Sequence, residues 1–135
     1  MADIRHVTDS FAVAPQIAPS DLREVASRGF KLVINNRPDG EAPGQPDSEE
    51  MQAAAERAGL AYVHIPVVGG PGPAQVAAVR QAVERAGGPV FAFCRSGTRS
   101  IVTWAIGEAQ AGRSRSELVG LGQAAGYDLS GVLGE

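Results

Sequence analysis

Seven consecutive residues, Cys94-Arg95-Ser96-Gly97-Thr98-Arg99-Ser100, bring together a nucleophile, two guanidinium groups, a glycine and several hydroxyls. The apolar run at 89–93 leads directly into them, and helix-like sequence resumes from about residue 98 to 111. A cysteine at the end of a strand and just before a helix sits beside unpaired backbone N–H groups and the positive end of the helix dipole. Both stabilise a thiolate, and such surroundings bring a thiol from about 8.5 down to roughly 3.5–7.5, so Cys94 is expected to be a thiolate at neutral pH. Gly97 lets the backbone turn so that successive N–H groups of 95–98 face inward as a nest for a tetrahedral anion. Arg99 can close that nest with a two-pronged contact, Arg95 adds positive charge, and Ser100 could donate to the sulfur. Against this stands a buried core thiol, a common state of free cysteine. Two arginines and a glycine make poor core neighbours, which favours the catalytic reading.

Other residues with chemical capacity carry weaker signals. Arg37 follows an apolar run and could hold an anionic substrate, or be a solvated surface arginine. Asp39 lies in a Pro-Asp-Gly turn, where Asp ordinarily bonds its own backbone, although it could serve as an acid. His64 could carry a proton, but alternating with Tyr62 on a strand-like run it reads as a hydrogen-bonded structural residue; His6 has no recognisable context, and Trp104 reads as core, with a wall of the pocket as its alternative. One cysteine excludes an intramolecular disulfide, and without a Cys/His cluster no structural zinc site is expected. The reading calls for no metal and no cofactor.

These residues need a scaffold, and the pattern provides one. Short apolar runs alternate with helix-like segments, which predicts an α/β fold: a mostly parallel central sheet flanked by helices in three layers. Strands are expected at 4–7, 11–13, 31–35, 61–65 and 89–93. A first helix is expected with Ser20 as N-cap, Asp21 in its first turn, Leu22, Val25 and Ala26 buried, and Gly29 at its end. The loop 36–45 holds two prolines and two glycines. Asp47 with Glu50 resembles a capping box opening a helix that ends at Gly59. Residues 66–73 cannot continue a strand, Val76, Val79 and Val83 mark the next helix, and Ser114 with Glu117 opens the last one toward Gly126. Ligands of open parallel sheets bind beyond the strands' carboxyl ends, which would gather 35–37, the 66–73 loop and 94–100 at one edge.

The 135 residues, 44% of them hydrophobic, suit one domain over the whole chain, 1–135. A net charge of -3 with scattered Lys and Arg argues against nucleic acid. No apolar run is long enough for a membrane span and the N-terminus lacks a signal-peptide core, so a soluble, cytoplasmic protein without membrane partners is expected. The oligomeric state is open.

CRSGTRS is similar to the active-site loop shared in outline by rhodaneses and protein tyrosine phosphatases. With NNRPDGE at 35–41, AYVHIPV at 61–67 and FAFCRSGTRS at 91–100, nearly the whole chain resembles the bacterial beta-lactamase hydrolase-like proteins with a phosphatase-like domain. That resemblance implies a fold like that of dual-specificity phosphatases. Phosphatases of that fold carry five residues between the cysteine and the arginine, but four separate Cys94 from Arg99, as in rhodaneses. Phe93 stands where a histidine usually precedes the nucleophile, and Val68-Gly69-Gly70 stands where the acid usually lies. Sulfur transfer from a good leaving group does not need that acid. The reading therefore favours a rhodanese-type sulfurtransferase working through a Cys94 persulfide. A phosphatase working through phosphocysteine is its alternative, and a non-catalytic anion-binding module is the third option. The expected substrate is a small sulfur or phosphate anion.

Overall fold

The computed structural model describes residues 2–133. Two short strands, β1 (Arg5–Thr8) and β2 (Phe11–Ala14), form an antiparallel hairpin with an irregularity between His6 and Thr8. A 3-10 turn at Pro19–Asp21 then runs into α1 (Leu22–Ser27). Ser20 is therefore not the N-cap of this helix. Pro19, with its fixed φ and missing N–H, begins the turn, and the Asp21 carboxylate reaches back to the Ala18 amide at 2.8 Å. The remaining elements are β3 (Leu32–Asn35), α2 (Ser48–Arg57), β4 (Ala61–His64), α3 (Pro73–Arg85), β5 (Val90–Phe93), α4 (Thr98–Gln110) and α5 (Arg115–Ala125).

The sheet has five strands in the order β1-β2-β5-β3-β4, parallel except for the β1–β2 pair. Side chains alternate across it as the period-two geometry of strands requires. Val90 and Ala92 of β5 join Val13, Ile34, Val79, Ile101, Trp104 and Leu118 on one face. Phe91 and Phe93 join Ala12, Val33, Leu22, Val25, Met51 and Ala55 on the other. Helices α1 and α2 thus cover one side and α3, α4 and α5 the other, which is the expected three-layer α/β arrangement.

Two features of this frame bear on the site. β5 lies at the centre and is buried along its whole length. In register, Ala14 and Asn35 both pair with Phe93, and Asn35 pairs with His64, so β2, β5, β3 and β4 end level. The segments that leave them emerge side by side at one edge.

Candidate active site

Cys94 follows β5 directly, and its residue is fully buried. Burial alone would suit a core thiol, but the hydrogen bonding does not: the Gly97 N–H donates to Cys94 Sγ at 3.1 Å. Gly97 holds φ at +91°, in the left-handed region that favours glycine, and is the N-cap of α4. Without a side chain it offers no cap; the Thr98 amide meets the Ser96 hydroxyl at 3.4 Å, and the next amides of this 13-residue helix are left to whatever occupies the loop. The Ser96 hydroxyl donates to Thr98 Oγ1 at 3.0 Å, and the Arg95 carbonyl accepts the Gln16 amide at 3.1 Å, tying the loop to the segment after β2. The Arg95 side chain lies on the exposed face of the loop.

Arg99 uses its two prongs on a carboxylate of this chain. Its Nη1 and Nη2 donate to Glu41 Oε2 and Oε1, both at 2.8 Å, and Nη1 also donates to the Val67 carbonyl at 2.8 Å. The Glu41 hydrogen bond chiefly raises the Arg99 guanidinium above its ordinary range, burial opposes it, and negative charge on Cys94 adds to the rise. Arg37 donates to the same carboxylate at 2.9 Å and to Gln16 Oε1 at 3.1 Å. It is only 4% exposed and its guanidinium is bonded within the chain, so it is not a solvated surface arginine. Between two cations, with the Arg99 hydrogen bond the larger influence, the Glu41 carboxyl falls from 4.5 to about 2.

Two further expectations need correction. Ser100 does not serve the sulfur: its hydroxyl donates to Asn36 Oδ1 at 2.8 Å, and a hydroxyl has a single proton to give. Asn36, 1% exposed, passes its own amide to the Ile65 carbonyl at 2.9 Å and so ties α4 to the ends of β3 and β4. Asp39 neither bonds its own turn nor reaches the loop, because its carboxylate accepts the Ser48 amide at the start of α2 at 2.8 Å. His64 meets the Arg37 carbonyl at 2.8 Å through Nε2, the structural role expected of it. Trp104 stacks on Phe11 at 4.8 Å in the core and is no wall of the site.

Three residues at this site were not singled out from sequence. Glu41 lies 58 positions from Arg99, Asn36 lies 64 positions from Ser100, and Tyr127 donates its hydroxyl to the Ser96 carbonyl from 31 positions away. A carboxylate four residues after Arg37, in a loop otherwise given to turns, is the one local signal that pointed to Glu41. Among the described residues no group of three or more His, Cys, Asp or Glu could hold a metal ion.

Residues 3–111 match the family described as beta-lactamase hydrolase-like protein, phosphatase-like domain. The chain belongs to this family. A beta-lactamase hydrolase-like protein of Agrobacterium fabrum is 40% identical over 125 residues, which are 91% of this chain and 29% of that protein. A counterpart from Xylella fastidiosa gives the same figures, so the chain spans under a third of the length of these curated relatives. Among solved structures, a candidate phosphatase from Neisseria meningitidis is 33% identical, with a TM-score of 0.85 over 95% of this chain and 92% of that one. The active form of Tk-PTP superposes with a TM-score of 0.73 over 94% of this chain and 87% of its own, at 24% identity, and shares the fold. This member of the family thus has a protein tyrosine phosphatase-like fold. No comparison supports the sulfurtransferase expectation; they favour its phosphatase alternative. The four-residue spacing on which that expectation rested is a local feature of one loop, whereas the shared fold runs along nearly the whole chain. No helix among the described residues is long and apolar enough to cross a membrane.

Proposed function

We propose that this domain is a phosphatase that hydrolyses phosphomonoesters through a phosphocysteine on Cys94. The observation that carries the reading is the Gly97 N–H on Cys94 Sγ, at the foot of a buried strand and beneath Arg99, within a phosphatase-like fold. The sulfur attacks phosphorus in line with the ester oxygen, so the S–P bond forms as the P–O bond breaks and the alcohol or phenol departs. Water then attacks phosphorus, inorganic phosphate leaves and the thiolate is restored. Loop amides and Arg99 balance the charge on the phosphoryl oxygens, with Arg99 turning part of its fork from Glu41 to the substrate.

The departing oxygen is the difficult part. Val68-Gly69-Gly70 carries no carboxylate, Asp39 is engaged at α2, and Glu41 is ionised at neutral pH because two guanidinium groups hold it there. Turnover should therefore depend steeply on the leaving group, fast for nitrophenyl phosphate and about 10²- to 10⁴-fold slower for an alkyl phosphate, the usual contribution of an acid. The deciding experiment combines aryl phosphate turnover with intact-protein mass spectrometry of the quenched enzyme. A phosphoryl adduct on Cys94 that is absent from Cys94→Ser is expected. If thiosulfate or a persulfide instead leaves one extra sulfur on Cys94, while aryl phosphates are left intact, the reading is wrong.

A further inference from the structure

The hydrogen bond to Cys94 Sγ comes from the Gly97 N–H, and the carbonyl of that same peptide unit is the Ser96 oxygen. A trans peptide is planar, with its N–H and C=O pointing in opposite directions, so a group that holds the carbonyl also sets the direction of the amide. The group on the carbonyl is the Tyr127 hydroxyl, at 2.8 Å. We propose that Tyr127 is a positioning residue for Cys94: its hydroxyl, by holding the Ser96 carbonyl, turns the Gly97 N–H onto the sulfur. The catalytic consequence rests on the phosphatase reading; the effect on the sulfur does not.

Tyr127 is itself firmly placed. It follows Gly126, which ends α5 at φ +94°, and its amide donates to the Gly122 carbonyl at 2.8 Å. The Arg5 guanidinium lies 5.1 Å from its ring centroid, and the residue is only 8% exposed. Its hydroxyl rests on the bare α-carbon of Gly97, where a Cβ would collide with it. Burial first raises its hydroxyl above the ordinary tyrosine range, Arg5 opposes that rise and negative charge on Cys94 adds to it, so at neutral pH it is a protonated donor. The charged groups that bear on this assembly are Arg5 of β1 with its partner Asp3, and Arg99 of α4 with its partner Glu41. Tyr127 lies past residue 111, where the family match ends, so the latch comes from a segment outside that match.

The test is the rate of iodoacetamide alkylation of Cys94 in the full chain at about pH 6.5 and about pH 9, on either side of free-thiol titration. Tyr127→Phe removes only the hydroxyl and should slow alkylation roughly fivefold or more at the lower pH, with little change at the higher, where thiols ionise unaided. Leu129→Ala opens a cavity at a fully buried residue of the same segment while keeping the hydroxyl, and should alkylate like wild type. Wild-type behaviour of Tyr127→Phe at both pH values overturns the proposal, and so does an equal loss in Leu129→Ala. With an aryl phosphate, kcat should fall in Tyr127→Phe with KM near wild type; a raised KM at unchanged kcat would sever Tyr127 from the sulfur. If wild type fails to hydrolyse the phosphate, the phosphatase reading fails while alkylation still decides the role of Tyr127.

Discussion

Glu41 holds two guanidinium groups, and one of them belongs to the arginine assigned to the substrate. Its carboxyl is depressed from 4.5 to about 2, so it contributes stability that is full above its ordinary value and is lost as pH falls through about 2. That contribution has an upper bound of about 3 kcal/mol, reduced by solvent screening because the side chain is 27% exposed. Urea unfolding of Glu41→Gln should show a flatter decline in stability between about pH 4.5 and 2 than wild type. At neutral pH the variant should be less stable, since Arg37 is left buried without its anion. Asp39→Asn should leave the pH profile of turnover unchanged, because Asp39 is committed to α2; loss of the acid limb in that variant would restore it as the proton donor. The difference in legibility between these two carboxylates has a physical cause. Asp39 sat in a recognisable turn and drew attention, whereas the role of Glu41 depends on a contact that no local spacing encodes.

Apart from the start of α1, elements whose ends are set by adjacent residues were readable in the sequence, and those set by distant contacts were not. Asp47 accepts the Glu50 amide at 2.8 Å and Ser114 accepts the Glu117 amide at 3.1 Å, as their spacing implied. Asp47→Ala should cost about 1 kcal/mol in equilibrium unfolding and leave Cys94 alkylation unchanged, since the cap lies away from the loop. The start of α4 obeys a different logic: glycine stands where a capping side chain would satisfy the first turn, which leaves those donors to the site. The loop from 94 to 100 could be recognised by type and order. That Ser100 serves Asn36 rather than the sulfur depends on how β3 and α4 approach each other in three dimensions.

The level ends of four strands bring the segments after β2, β3, β4 and β5 together, so an anion bound at Cys94 should tighten the whole edge. Phosphate should raise the thermal unfolding midpoint, with a gain of about 2.7 kcal/mol when it is present at a hundredfold excess over its dissociation constant. Arg99→Lys should lose most of that gain, because a point charge cannot reproduce the planar fork. Equal stabilisation of both proteins would show that Arg99 is not the anion's partner.

The strand order also bears on how the chain is made. β2 and β3 never pair with each other, because β5, two-thirds of the way along the sequence, fills the gap between them. Until the ribosome has released residues 90–93, the nascent chain holds two half-sheets, each with an open edge that other chains could join. The strand that closes the gap is the one that delivers Cys94. The nucleophile is therefore delivered only when the sheet can close, and chaperones would protect this chain best in the interval before its centre is filled.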